Sequence, residues 1–321
     1  MGRVENKRYT KRRKKRRIIT FLLLMFLVFS GIVSFYIMQI ISAANDTYDN
    51  LDRDKSDLRE EKVTIKDNPV SILLMGVEDY STEGQTYGRV DTLLVATFNP
   101  STKDAYLLSI PRDTYVNIPG REKKDKINHS HAFGGKELTI KTVENYLDIP
   151  IDYYAMVNFD SFKEVVDTLG GITVDVPFDF KQNSDDPKAE KLEFYEGEMT
   201  LDGRYALAYA RMRLEDPRGD IGRNERQREV IQAILDELTS FSTLGKIGSL
   251  AKDVSENVET NISINEGLSF IANYKDFNNK KLKQLTLDGE SETIDSISYY
   301  IPSDDAYTDV VKKLQEHLEL E

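Results

Sequence analysis

Six arginines and two aspartates lie in the segment from Arg211 to Arg228, which contains no lysine. The planar guanidinium group pairs bidentately with phosphate oxygens, whereas the lysine ammonium group acts as a hydrated point charge. Because the chain uses lysine freely elsewhere, this arginine-only cluster indicates a binding site for a multiply charged phosphate. The alternative is a helix face held by salt bridges, to which Arg226 and Arg228 in particular could belong.

Charged residues also cluster at the ends of short apolar runs. Glu78 and Asp79 follow one such run, and Asp91 opens the next. These carboxylates could share one hard cation, because Mg²⁺ prefers carboxylate oxygens together with water and substrate phosphate. Arg112 directly follows a third apolar run. The alternatives are that Asp91 caps a turn and that Arg112 forms a structural ion pair with Asp113.

Several other chemistries are excluded or disfavoured. The chain has no cysteine, which excludes disulfides, zinc–thiolate sites and cysteine nucleophiles. It has neither a GxxxxGK[ST] phosphate loop nor a GxSxG nucleophile elbow. His129 and His131 have no third good metal ligand nearby, so we expect turn or core histidines. Phosphate chemistry here would depend on a cation and arginines that neutralise charge.

Apolar runs bounded by turn residues predict the strands that position these groups. Strands are predicted at 70–77, 91–98, 104–110, 153–158, 172–176, 285–287 and 296–301. Capped or amphipathic patterns predict helices after Gly135 and at 160–169, 203–210, 224–238 and 304–318. Strands that alternate with helices predict a single α/β domain with a central mixed sheet covered by helices. In such sheets ligands bind at the carboxyl ends of the strands.

The N-terminal region predicts a membrane anchor. Residues 1–17 carry a net charge of +9, so the rest of the chain carries −21 of the total of −12. Residues 18–41 contain no charge. As a helix they would span ~36 Å, enough for a hydrocarbon core ~30 Å thick. The positive-inside rule predicts a cytoplasmic tail at 1–17 and an extracellular body. The span accounts for the basic tail, which disfavours nucleic acid as a partner.

A cleaved signal peptide is the alternative, with a weak cleavage site at 42–44. The apolar region of a signal peptide is, however, only ~7–15 residues long. Residues 42–68 are polar and predict a stem, and the folded domain is predicted at 69–321.

Seven stretches together resemble the LytR-CpsA-Psr family, and within it the teichoic acid transferase branch. They occur in the family's order over about residues 70–240: SILLMGVED, GRVDTLLVATFNP, SIPRDTYVNIPG, KINHSHAFGG, TVENYLDIPIDYY, VDTLGGITVDVP and RYALAYARMRLEDPRGDIGRNERQREVI. The resemblance implies an extracellular α/β domain with a hydrophobic groove for a polyprenyl pyrophosphate lipid.

The resemblance also implies a reaction. Family members transfer an anionic glycopolymer, such as wall teichoic acid, from an undecaprenyl-pyrophosphate carrier to the 6-hydroxyl of N-acetylmuramic acid in peptidoglycan. Undecaprenyl phosphate is released, and Mg²⁺ or Mn²⁺ assists. Alternatives are a Mg²⁺-dependent lipid pyrophosphatase and a membrane-anchored regulator that binds the lipid without turnover.

The matching motif positions indicate which residues of this sequence correspond to the family's site residues. Asp91 matches the metal-binding acid, and Arg112 matches a pyrophosphate-binding arginine. Asp220, the candidate general base, and Arg223 match the reaction centre. Further pyrophosphate contacts are expected from Arg211, Arg213, Arg218 and Arg226, whereas Arg228 is expected at the surface. The first motif departs from the family pattern: Glu78 replaces the metal-binding aspartate, so either Glu78 or its neighbour Asp79 would be the second metal ligand.

Overall fold

A computed structural model of the protein describes residues 51–77, 88–185, 190–239, 258–263, 266–267, 269–270 and 282–320. The predicted membrane span at 18–41 lies outside these residues. Within the described part of the chain, no helix is both long enough and apolar enough to cross a membrane.

The chain forms an α/β fold, as the alternation of strands and helices predicts. The strands are β1 (Val70–Val77), β2 (Val90–Asn99), β3 (Asp104–Ile110), β4 (Tyr115–Val116), β5 (Asp125–Lys126), β6 (Tyr153–Asn158), β7 (Ile172–Val176), β8 (Phe180–Gln182), β9 (Leu192–Phe194), β10 (Gly197–Leu201), β11 (Val258–Thr260), β12 (Leu282–Thr286), β13 (Gly289–Ile294) and β14 (Ile297–Pro302). The helices are α1 (His129–Leu147), α2 (Phe159–Leu169), α3 (Gly203–Arg211), α4 (Asp220–Thr239) and α5 (Asp304–His317).

Six strands form the central mixed sheet in the order β11-β6-β1-β2-β3-β12. The pairs β1–β6 and β3–β12 are parallel, and the other neighbours are antiparallel. The strands β1, β3, β6 and β12 therefore run in one direction, and their carboxyl ends meet at one edge of the sheet. Because β2 runs the opposite way, it begins at that edge.

Apolar side chains alternate between the two faces of the sheet, as the two-residue period of a strand requires. In β1, Leu73 and Met75 join a core beneath α1 and α5, whereas Ile72 faces a second core. The neighbouring strands alternate in the same way, with Leu93 and Leu94 on opposite faces. A further core lies among α2, α3, α4 and the small β7–β10 and β8–β9 sheets. The central sheet is thus covered on both faces.

Several helix boundaries differ from the predicted ones. Helix α1 begins at His129, ahead of its glycine pair, because the chain kinks at Gly134 and Gly135 and then continues. The N-cap of α2 is Asn158, whose side chain accepts a hydrogen bond from the Ser161 N–H, and not Asp160. Gly170 ends α2 in the left-handed conformation, as expected.

Residues 51–68, part of the predicted polar stem, lie against the folded body, and we call this segment the strap. The Arg53 guanidinium donates to both carboxylate oxygens of Glu144 at 2.7 and 2.9 Å. Arg59 binds both oxygens of Asp152 at 3.0 and 2.8 Å. Two apolar strap residues are buried: Leu51 and Ile65. The strap is therefore fixed by paired charges and by core packing.

Candidate active site

The predicted acid and arginine meet at the edge of the sheet where β2 begins. Strands β1 and β2 pair Gly76 with Thr92 and Val77 with Val90, so Asp91 is the extra residue of a β-bulge. A bulge redirects a side chain relative to the regular alternation of the strand. The Asp91 Oδ1 atom accepts a hydrogen bond of 2.7 Å from Arg112 Nη1, and both side chains are partly exposed.

A tight turn presents Arg112 at this edge. The Thr114 N–H donates to the Pro111 carbonyl at 3.0 Å, which makes Arg112 and Asp113 the central residues of a β-turn. The Asp113 carboxylate binds Lys126 at 2.8 Å, and its oxygen is 3.9 Å from Arg112 Nε. Arg112 thus forms the ion pair with Asp113, which was the alternative interpretation, only loosely at 3.9 Å, and its short contact is to Asp91 at 2.7 Å.

Helix α4, which carries Arg223, approaches the same edge of the sheet. The Gln227 amide Nε2 donates to the Thr92 hydroxyl at 3.2 Å, which joins α4 to the residue after Asp91. Arg223 lies four residues before Gln227, on the same side of the helix. The residue is 9% exposed. Sequence reasoning missed Gln227, which reads as an ordinary polar residue of an amphipathic helix.

Arg211 reaches this edge from the other side of β1. It is the last residue of α3, and its guanidinium carbon lies 4.6 Å from the centre of the Phe159 ring. Phe159 follows β6, whose last residue Asn158 is level with Val77 at the end of β1. Arg213, two residues on, is exposed. Asp91, Arg112, Arg211 and the helix that carries Arg223 therefore lie around the carboxyl ends of β6, β1 and β3.

A buried aspartate organises the loop between α3 and α4. Asp216 Oδ2 accepts a hydrogen bond of 2.5 Å from Arg226, and its Oδ1 accepts one of 2.7 Å from the Arg218 N–H. Burial by itself would raise the pKa of Asp216, but these hydrogen bonds lower it below the usual value. A Cβ atom on Gly222 would lie 1.7 Å from Asp216 Oδ2, so this close approach requires glycine.

Arg226 is a structural residue of this loop and not the expected pyrophosphate contact. Its side chain is 2% exposed, and besides Asp216 it donates to the carbonyls of Tyr209 and Met212. Its donors are thus directed inward. Arg218, in contrast, has a half-exposed side chain that pairs with Glu225 at 2.5 Å.

The expectation that Arg228 lies at the surface is wrong. Its side chain is only 4% exposed, and burial lowers its pKa. Its Nε and Nη1 atoms have no hydrogen-bond partner within the part of the chain that the structure describes. The helical period alone places this residue on the polar side of α4, but α4 is packed between layers on more than one face.

His131 is a core residue, as predicted, whereas His129 is the partly exposed first residue of helix α1. His131 is buried, and its Nδ1 atom lies 2.8 Å from the Gly88 carbonyl, to which it donates. Burial lowers the pKa of His131, which favours the neutral ring. His129 lies 3.0 Å from Asp125. His131 therefore anchors the chain three residues before Asp91.

Asp91 is the candidate metal ligand among the residues that the structure describes. Glu78 and Asp79 lie outside the described residues, as does the side chain of Asp220. Among the residues that the structure does describe, no three histidine or acidic side chains converge. Asp91 offers carboxylate oxygens at the edge where the arginines meet. This donor fits Mg²⁺, which commonly takes one or two protein carboxylates and completes its shell with water and phosphate.

Comparisons with known proteins identify the family of this chain. The LytR_cpsA_psr family model matches residues 34–316. The chain is 46% identical to the Bacillus subtilis polyisoprenyl-teichoic acid–peptidoglycan teichoic acid transferase TagV, over 95% of this chain and 79% of that protein. It is 42% identical to TagU of the same organism, over 96% and 98%.

Solved structures show the same fold. The crystal structure of Bacillus subtilis TagV matches with a TM-score of 0.72, over 80% of this chain and 99% of that chain. A structure of TagT bound to LI-WTA, 33% identical, matches with a TM-score of 0.69 over 84% and 98%. The chain belongs to the LytR_cpsA_psr family.

Proposed function

We propose that this protein is a phosphotransferase that moves an anionic glycopolymer, wall teichoic acid, from an undecaprenyl-pyrophosphate carrier to peptidoglycan. The acceptor is the 6-hydroxyl of N-acetylmuramic acid. The observation that carries the proposal is the convergence of Asp91, Arg112, Arg211 and Arg223 at one edge of the sheet. The names of the relatives support the same reaction.

In the proposed reaction, the acceptor hydroxyl oxygen attacks the phosphorus that bears the glycopolymer. The bond from that phosphorus to the bridging oxygen breaks, and its electron pair leaves with undecaprenyl phosphate. The hydroxyl proton passes to a base, for which Asp220 is the candidate. The product is a phosphodiester between polymer and peptidoglycan.

The described residues supply positioning and charge. Arg112 would bind the pyrophosphate oxygens, and Asp91 keeps its guanidinium at the edge of the sheet. Arg211, Arg213 and Arg223 would neutralise charge as the bridging oxygen leaves. Asp91 would also hold Mg²⁺, with Glu78 or Asp79 as the second ligand. Bound there, the cation would stabilise negative charge on the phosphates.

The proposal includes a location. The acidic body would lie outside the cell, joined to a membrane helix at 18–41 and a cytoplasmic tail at 1–17. A lipid-linked donor and a cell-wall acceptor both meet the protein on that side of the membrane.

Transfer by the purified extracellular part tests the function. Lipid-linked teichoic acid precursor and peptidoglycan are incubated with wild type, Arg112→Ala and Asp91→Ala, and the products are separated. We expect a polymer–peptidoglycan conjugate with wild type and a decrease of at least ~100-fold in the two variants, because each removes charge stabilisation of the transition state. Arg204→Ala, an exposed arginine of α3, is the matched control.

The products distinguish the alternatives. Free phosphorylated polymer from wild type would identify a pyrophosphatase, and bound lipid without turnover would identify a regulator. Equal transfer by wild type and Arg112→Ala would contradict the site assignment.

A further inference from the structure

A second concave surface lies next to the Arg112 turn. It is a cavity of about 470 Å³ between β4, the end of α1, and the C-terminal hairpin and helix. Three partly exposed tyrosines, Tyr115, Tyr146 and Tyr307, line it together with the exposed amides of Asn117 and Asn145. We call this surface the tyrosine groove.

The groove lies close to the turn that presents Arg112. Tyr115 follows Arg112 by three residues, so their Cα atoms are at most ~11 Å apart. The Tyr300 N–H donates to the Asp113 carbonyl at 2.9 Å, and Thr114 forms a parallel bridge with Tyr300. The C-terminal hairpin that forms one wall is thus joined to the turn that presents Arg112.

Contacts within the protein hold the tyrosine rings of the groove in place. The Tyr307 hydroxyl donates to the Tyr146 carbonyl, and the two rings lie 5.4 Å apart. The Tyr115 ring packs against Tyr299 with 4.6 Å between ring centres. Rings held by their neighbours lose little conformational entropy when a ligand binds.

We propose that the tyrosine groove binds the acceptor, a β-linked strand of N-acetylated amino sugars. Sugar rings present apolar C–H faces that pack on tyrosine rings, and their hydroxyl and acetamido groups pair with side-chain amides. This proposal rests on the proposed function, since it assigns the glycan acceptor of that reaction.

The charge of the groove favours the glycan acceptor over the donor polymer as its ligand. Among the described residues that line the groove, Lys124 is the one cation and Asp304 is the one anion. A polyanionic polyol phosphate would favour a surplus of cations and has no ring faces to pack on tyrosine. A strand of pyranose rings with at most one lactyl carboxylate per disaccharide has a lower charge density than a polymer with a phosphate in every repeat, and it fits both features better.

Direct binding tests the groove without transfer. A soluble tetrasaccharide of alternating N-acetylglucosamine and N-acetylmuramic acid is titrated calorimetrically into wild type and into an Asn117→Ala/Asn145→Ala double variant. Both asparagines are exposed, so the variant retains the fold. Loss of two hydrogen bonds lowers affinity by about 10-fold or more. A second variant, Tyr115→Ala, is expected to lose affinity through ring packing.

Matched controls come from other surfaces. Asn183→Ala and Tyr195→Ala remove an exposed asparagine and an exposed tyrosine far from Arg112 in sequence, and both should bind the tetrasaccharide like wild type. Wild-type affinity in both groove variants, or preferential binding of a soluble glycerol phosphate polymer by the groove, would overturn the proposal.

Different experimental outcomes would overturn the tyrosine groove and the proposed function. Transfer with an unchanged KM for the glycan acceptor in the groove variants would overturn the groove and leave the proposed function intact. Groove-dependent tetrasaccharide binding by a wild-type protein that transfers no polymer would support the groove and remove the function.

Discussion

The arginine cluster separates into residues with different roles. Arg211 and Arg223 lie at the edge of the sheet that holds Asp91 and Arg112, whereas Arg226 is internal and pairs with Asp216. In the proposed function, the same type of side chain thus binds phosphate at one position and holds the loop at another. Burial and the direction of the donors, which sequence does not reveal, decide between them.

Replacing Asp216 tests the structural role of its pair with Arg226. Asp216→Ala would leave the Arg226 guanidinium buried without its counter-charge, which costs about 3–5 kcal/mol. We expect the free energy of unfolding, measured by urea denaturation, to fall by this amount.

Arg218→Ala is the matched control for this measurement. It removes a half-exposed side chain that pairs with Glu225 at 2.5 Å and lies 3.5 Å from Asp216, while the backbone N–H of residue 218 still donates to Asp216. Exposed pairs of this kind contribute at most about 1 kcal/mol. Similar losses in the two variants would show that the Asp216–Arg226 pair does not organise the loop.

At the scale of elements, the strap converts a polar segment into part of the fold. A double-mutant cycle on Arg59→Ala and Asp152→Ala measures its coupling to the body. Because this pair is bidentate and buried, we expect an interaction energy of about 1–3 kcal/mol in denaturant unfolding. The same cycle on the exposed pair Lys181–Glu193 should give no more than about 1 kcal/mol. Equal coupling in the two cycles would mean that the strap is only loosely bound.

Local sequence patterns predicted the bounds of strands and helices better than they predicted which side chains contact one another. The strands at 70–77, 104–110, 153–158 and 172–176 have the predicted bounds, because short apolar runs end at Gly, Pro or Asn. The ion pair of Asp91 with Arg112 was not predictable from spacing, since it depends on a bulge and on antiparallel register. The polar strap resembled a linker because its partners, Glu144 and Asp152, are more than 80 residues away in sequence.

At the scale of the whole molecule, buried histidines make stability depend on pH. Burial lowers the pKa of His131, although the charge of Glu259 acts to raise it. Burial also lowers the pKa of His317, which Asp104 acts to raise and Lys283 acts to lower. The unfolded chain, with histidine pKa values near 6.5, then takes up protons before the folded protein does. Stability is therefore complete above about pH 6.5 and declines as the pH falls through that value towards the folded pKa values.

Urea midpoints between pH 8 and pH 5 measure this decline. His131→Asn keeps a donor for the Gly88 carbonyl and does not titrate, so its midpoint should fall less steeply than that of wild type. An unchanged slope would contradict a contribution from His131. At lower pH the carboxylate of Asp104, whose pKa is lowered to about 2 despite burial, loses its stabilising bonds as the pH falls from about 4 towards 2.

The contacts of α5 have a consequence for the order of folding. His317 bonds Thr97 in the middle of the sheet at 2.7 Å and Asp104 at 3.0 Å, and its carbonyl accepts from Asn99. Contacts this distant in sequence close late, because the entropy of a long loop must first be lost. The polar groups of β2 and β3 that bond His317 thus obtain these partners only after α5 has been synthesised. A nascent chain that stops before α5 would contain the complete arginine motifs and all six strands of the central sheet, but β2 and β3 would lack the partners that α5 supplies.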